Sequence, residues 1–173
     1  MCGSIKYITQ DHRSKAITIG YGNPHAALPV YRPNIANGIE WMPWGHRENQ
    51  LEAQGLPVTG WARMDTIIRG GWDRYKPEFV KIPVHQFSEK GDNNGRYWFD
   101  IDEGYALEGI IAHTEFASKL FVITTPVPDE LAYIHDRWPK IVSLTNSEIL
   151  GRLNNGYRLN IPLSKGQQYA LVA

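Results

Sequence analysis

The sequence predicts an α+β fold: a single domain spanning residues 1–173, built on a curved, mostly antiparallel, barrel-like β-sheet with a few flanking helices. Three observations predict it. Short runs rich in β-branched and aromatic residues are separated by Gly, Pro and Asn clusters, the pattern of antiparallel strands joined by turns. No βαβ alternation with a Gly-rich phosphate loop appears. The 173 residues fall within single-domain size and are enough to bury a substantial core.

Taken in order, Ser4–Ile8 and residues 16–21 read as strands, followed by residues 28–31 and Ile39–Pro43 across the turn-prone stretch 33–38. Residues 48–59 read as loop or a short helix. Over 61–75, apolar Trp61, Met64, Ile67, Ile68 and Trp72 approach the spacing of one helix face, which Gly70 and Gly71 weaken. Residues 79–87 and 97–101 read as strands, and Asp102-Glu103-Gly104 as a hairpin turn into Tyr105–His113. Residues 120–125 form the clearest buried strand. Thr145 and Glu148 have the spacing of a helix capping box, with Asn154-Asn155-Gly156 as the stop, and 169–172 reads as a last strand.

Composition narrows the function classes. Eighteen basic residues balance eighteen acidic ones, so any nucleic-acid contact has to come from a local patch. Six Trp and nine Tyr permit base stacking without requiring it. A single cysteine excludes an internal disulfide framework and Cys-based zinc clusters. The six histidines form no H-x-H or H-x-x-x-H pair, so neither a metal nor another cofactor is expected. The opening residues lack an apolar signal core, and no run approaches the ~18 apolar residues of a membrane span. The expectation is a cytoplasmic monomer with no membrane partner.

That single cysteine is Cys2, directly behind Met1. Removal of Met1 leaves an α-amine and a thiol on one residue. A terminal amine has a pKa of about 7.7–8.0 and a free thiol about 8.5, so both are reactive near neutrality. Together they can capture an aldehyde as an imine and close it to a thiazolidine. Polar residues just after core strands are the natural catalytic partners. His135, in Ile134-His135-Asp136-Arg137-Trp138-Pro139, and Glu89, in Phe87-Ser88-Glu89, fit that description. Between residues 61 and 90, six basic residues face four acidic ones, a net of +2, and Arg63 is the best placed to hold a phosphate bidentately. The acidic run Asp100, Asp102 and Glu103, with Glu108 beyond it, is expected to mark a sheet edge away from any nucleic acid.

Four stretches, in order, resemble the SOS response-associated peptidase (SRAP) family, sensors of abasic sites in single-stranded DNA. They are Met1-Cys2-Gly3 with Trp44-Gly45; Ala62-Arg63-Met64-Asp65-Thr66 with Lys76-Pro77; Ile82-Pro83 through Phe87-Ser88-Glu89; and the strand at 121–125 leading to Ile134-His135-Asp136-Arg137-Trp138-Pro139. The resemblance implies Cys2 as the nucleophile that joins to the ring-opened sugar, Glu89 and His135 as proton carriers, and Arg63 gripping a phosphate beside the lesion. Trp44 and Trp61 complete the DNA-binding set. The partner it implies is abasic single-stranded DNA, engaged at the nucleoid, and the same site removes Met1. Four positions depart from the family pattern: Trp61 replaces an asparagine, Asp65 a glutamate, Ser4 an arginine, and Lys90 a tryptophan. Two other readings stay open: a non-catalytic SRAP-like module binding single-stranded DNA or protein, and an N-terminal-nucleophile glutamine amidohydrolase, whose domains also open Met-Cys-Gly.

Overall fold

Period-two alternation of apolar side chains organises the molecule. The computed structural model describes residues 3–9, 14–35, 38–91 and 95–145, and Cys2, most of the capping-box segment and the expected last strand lie outside them. Within that range, strands far outnumber helices. The strands are β1 (Ser4–Ile8), β2 (Ala16–Gly20), β3 (Ala27–Tyr31), β4 (Ile39–Pro43), β5 (Trp61–Arg63) and β6 (Glu78–Ile82). The remainder are β7 (Gln86–Lys90), β8 (Arg96–Asp100), β9 (Tyr105–His113), β10 (Ser118–Pro126), β11 (Arg137–Pro139) and β12 (Ile141–Ser143). The one α-helix described, α1 (Met64–Ile68), is a turn and a half long.

One antiparallel sheet runs β2-β1-β7-β8, and β3-β4 form a separate hairpin. The third sheet centres on the β9–β10 hairpin. β6 pairs with β9, and β5 runs parallel to β10. The hairpin splays, and residues 137–143 insert between its diverging strands. Lys140 marks the wedge: its N–H donates to the Ile123 carbonyl at 2.8 Å, while its carbonyl accepts from Glu108 N–H at 2.8 Å. None of the three sheets closes on itself among the described residues.

Alternation along β9 and β10 buries both faces of that hairpin. Leu107, Ile111, Leu120 and Val122 enter the larger apolar cluster, and the intervening Ile110, Ala112, Phe121 and Ile123 enter the smaller one. The inward face of the first sheet, Ile5, Ile19, Phe87 and Phe99, closes the larger cluster.

Two expected elements differ in form. The helix expected over 61–75 divides into β5, α1 and a 3-10 turn at Asp73–Tyr75. Pairing of Ala62 with Ile123 takes the first residues into the sheet, and Gly70 at φ +79° stops the helix. The strand expected over 79–87 is two strands, β6 and β7, in different sheets. Pro83 has no N–H to continue a ladder, so the chain turns there and changes sheets. His85 pins the corner: it donates its N–H to the Lys6 carbonyl at 2.9 Å and accepts the Ile8 N–H on Nδ1 at 3.1 Å.

Candidate functional site

Glu89 sits where a carboxylate is least comfortable. Phe87 and Glu89 are two residues apart on β7, so both face inward, and Glu89 is fully enclosed. Burial pushes its carboxyl up from 4.5 to about 7. The positive charge at the chain's own terminus opposes that rise, and the charge of Asp136 adds to it. A carboxyl that titrates near neutrality can carry protons in either direction at physiological pH.

Backbone register fixes what lies beside it. Ser4 pairs with Ser88, and the Gly3 N–H donates to the Ser88 carbonyl at 3.0 Å. On the other side, the Gly3 carbonyl accepts from Tyr21 N–H at 3.1 Å. The start of the chain is thus gripped between β7 and the end of β2. Covalent connectivity alone sets Cys2 one peptide, about 3.8 Å between Cα atoms, from Gly3.

The histidine segment approaches from the other sheet. Trp138 on β11 packs against Phe87 and Phe99, with ring centroids 4.9 and 4.6 Å away. This contact brings residues 135–137 toward Glu89, which is why the Asp136 charge reaches that carboxyl. His135 Nδ1 lies 3.0 Å from the Arg137 N–H and 2.8 Å from Asp136 Oδ1. The two contacts are alternatives. A neutral ring accepts from Arg137 on Nδ1 and carries its proton on Nε2; a protonated ring donates from Nδ1 to Asp136.

His135, Asp136 and Arg137 line one wall of a cleft of about 570 Å³, with Trp61, Arg63 and Arg74 on other sides. Asp65 organises the basic rim. Its carboxylate accepts from Arg63 Nε and Nη2 at 3.2 and 3.1 Å and from Arg69 Nη2 at 3.2 Å, with Arg137 Nη2 3.5 Å away. The Arg63 guanidinium holds the Asp65 carboxyl below the usual carboxylate range, and Arg137 contributes to the same effect. Arg137 also donates to the Thr124 carbonyl at 2.7 Å, which fixes it against β10.

The two tryptophans differ. Trp61 is half-buried on the cleft wall, 4.4 Å from the Tyr21 ring and 5.9 Å from Trp44. Its indole N–H is enclosed and meets no acceptor among the described residues. Trp44 is 0% exposed and donates to the Gly60 carbonyl at 3.0 Å. The expected direct contact of Trp44 with DNA is therefore corrected: it has no free ring face and serves as the foundation on which Tyr21 and Trp61 pack. Gly45 beside it has φ +68°, and a Cβ there would meet the Gly60 Cα and Thr59 carbonyl oxygen at 2.6 Å.

Of the residues singled out from sequence, His135, Arg63 and Trp61 line one cleft, Glu89 is enclosed on β7 outside that lining and is reached by the Asp136 charge, and Cys2 lies outside the described residues. The sequence alone assigns no role to Asp136, Arg137 or Tyr21. The acid directly after His135 was the available signal for the first; nothing in the sequence marks Tyr21. Comparison with known proteins found no matching family model and no curated protein that matches the chain. Among the described residues, no helix is long and apolar enough to cross a membrane.

Proposed function

We propose that this chain is an SRAP-like sensor of abasic sites in single-stranded DNA, capturing the lesion covalently through Cys2 after Met1 is removed. One observation carries the reading: the register that ties Gly3 to Ser88, and so holds the chain's start beside a buried carboxyl titrating near 7. In this reading the three open sheets curve around the larger apolar cluster as an incomplete barrel.

The reaction begins with water cleaving the Met1–Cys2 peptide, which frees the Cys2 amine. That amine adds to the aldehyde of the ring-opened deoxyribose, and loss of one water gives an imine. Glu89 in its protonated form supplies the proton that the departing hydroxyl needs, and His135 takes a proton from nitrogen. The Cys2 thiol then adds to the imine carbon, its proton passing to the nitrogen, and a thiazolidine results. No oxidant or further reactant enters. Ring closure removes the imine on which strand-breaking elimination depends. Arg63 holds a phosphate beside the lesion, and Trp61, half-buried on the cleft wall, is the aromatic side chain nearest a neighbouring base.

The test is a single-stranded oligonucleotide bearing one abasic site, incubated with processed protein and run on a denaturing gel. A retarded band that disappears with Cys2→Ala supports capture; no band from fully processed wild-type protein refutes it. Passive binding is the second reading. It is favoured by Trp61, whose bulk, and whose indole N–H without an acceptor among the described residues, occupy a site wall built on Tyr21, next to the Gly3 carbonyl. Salt-sensitive binding unaffected by Cys2→Ala identifies that case.

A further inference from the structure

The outward face of the β1–β7–β8 sheet carries a pairing that a sheet normally avoids. Lys90 on β7 and Arg96 on β8 are direct cross-strand partners, so their side chains leave the same face about 5 Å apart at Cβ. Like charges placed directly opposite one another are destabilising. Among the described residues neither has a carboxylate partner. Arg96 donates from Nη1 to the Ser4 hydroxyl, and its other donors meet nothing described. The cation further along the face is treated differently: Lys6 donates to Gln86 at 2.9 Å and lies 3.9 Å from the Trp98 ring centre.

The position is as informative as the charge. Ser4 and Ser88 are 3% and 1% exposed, and the Ser88 hydroxyl donates to the Ser4 carbonyl at 3.2 Å, so Arg96 rests on a buried polar floor. That floor is one residue from Gly3, hence beside the start of the chain. Two opposed cations on a fixed backbone, over buried hydroxyls, make a socket for an oxyanion placed between them. A guanidinium in this setting meets a phosphate through paired N–H donors, and an ammonium adds a second charge.

We propose that Arg96 and Lys90 bind a backbone phosphate of single-stranded DNA, feeding the strand toward Cys2 from the outward side of this sheet, opposite the face that carries Glu89. The inference rests on the DNA-directed reading above, but it concerns affinity for undamaged strand and not the covalent step. The probe is therefore an intact oligonucleotide without a lesion, titrated by fluorescence anisotropy from about 50 to 200 mM salt. Arg96→Gln is expected to weaken binding about tenfold at the lowest salt and to reduce the log–log salt slope by about 0.7–1. Arg96→Lys retains the slope while losing part of the affinity. Lys90→Gln supplies a second arm that leaves the Ser4 contact intact and lowers the slope similarly. Lys15→Gln, just before β2 and away from Ser4, removes an exposed charge without changing either quantity.

Affinity and slope in Arg96→Gln and Lys90→Gln equal to those of Lys15→Gln overturn the proposal, as does a wild-type protein that binds no intact strand. Arg96-dependent binding in a protein that forms no abasic adduct upholds this site while refuting covalent capture. The two failures are thereby told apart.

Discussion

Replacing Glu89 with Gln tests the energetic cost of the buried carboxyl. The substitution keeps the shape and polarity of the side chain and removes its ionisation. A rise from 4.5 to about 7 on folding is worth about 3 kcal/mol, an order-of-magnitude figure. An acid whose folded pKa exceeds its unfolded one binds protons more tightly when folded. Its favourable contribution is therefore complete below about pH 4.5 and lost as pH rises through about 7. Other titrating groups are common to both proteins and cancel in the difference. Glu89→Gln should thus gain stability relative to wild type with increasing pH, by about 1.4 kcal/mol per pH unit between 5 and 7, levelling near 3 kcal/mol above it. Urea denaturation of both proteins at pH 5, 6, 7 and 8, with the m-value checked for constancy, measures this directly. A stability difference independent of pH would refute the reasoning, because Glu89 would then titrate at an ordinary carboxylate pKa in the folded protein.

Two further substitutions probe the surroundings. Asp136→Asn removes a charge that raises the Glu89 carboxyl, so the pH at which stability falls should move downward; an unchanged midpoint in the same denaturation series would show that the two groups do not interact. Gly45→Ala places a Cβ 2.6 Å from backbone atoms of residues 59 and 60 at a positive φ, and should cost more than about 2 kcal/mol, read as a lowered Tm; a Tm within a degree of wild type would contradict the close approach.

How far the sequence revealed all this depends on how local each feature is. β1, β4 and β9 coincide with the expected stretches because alternation and flanking turns define them without help from distant residues. Residues 61–75 mislead because their helical spacing competes with a parallel pairing of Ala62 to Ile123, which no local pattern announces. β11 and β12 were not anticipated, since three-residue strands wedged between others carry too short a signal. Glu89 and His135 are recognisable in the sequence as polar residues near core strands, but the packing of the histidine segment onto β7 depends on Trp138 meeting Phe87. The resemblance implies a DNA contact for Trp44, and only the tertiary packing reveals the ring as enclosed. The serine at position 4 stands where the family pattern has an arginine. What a linear reading cannot show is that the register of β7 and β8 delivers Arg96 to that same serine.

The most direct test of the central idea is the intact mass of the product formed with an abasic oligonucleotide, without any added reductant. Covalent capture predicts a species equal to the Met1-less protein plus the oligonucleotide, less one water, stable to heat and absent with Cys2→Ala. A Met1-less protein recovered at its own unmodified mass after the same incubation would contradict it.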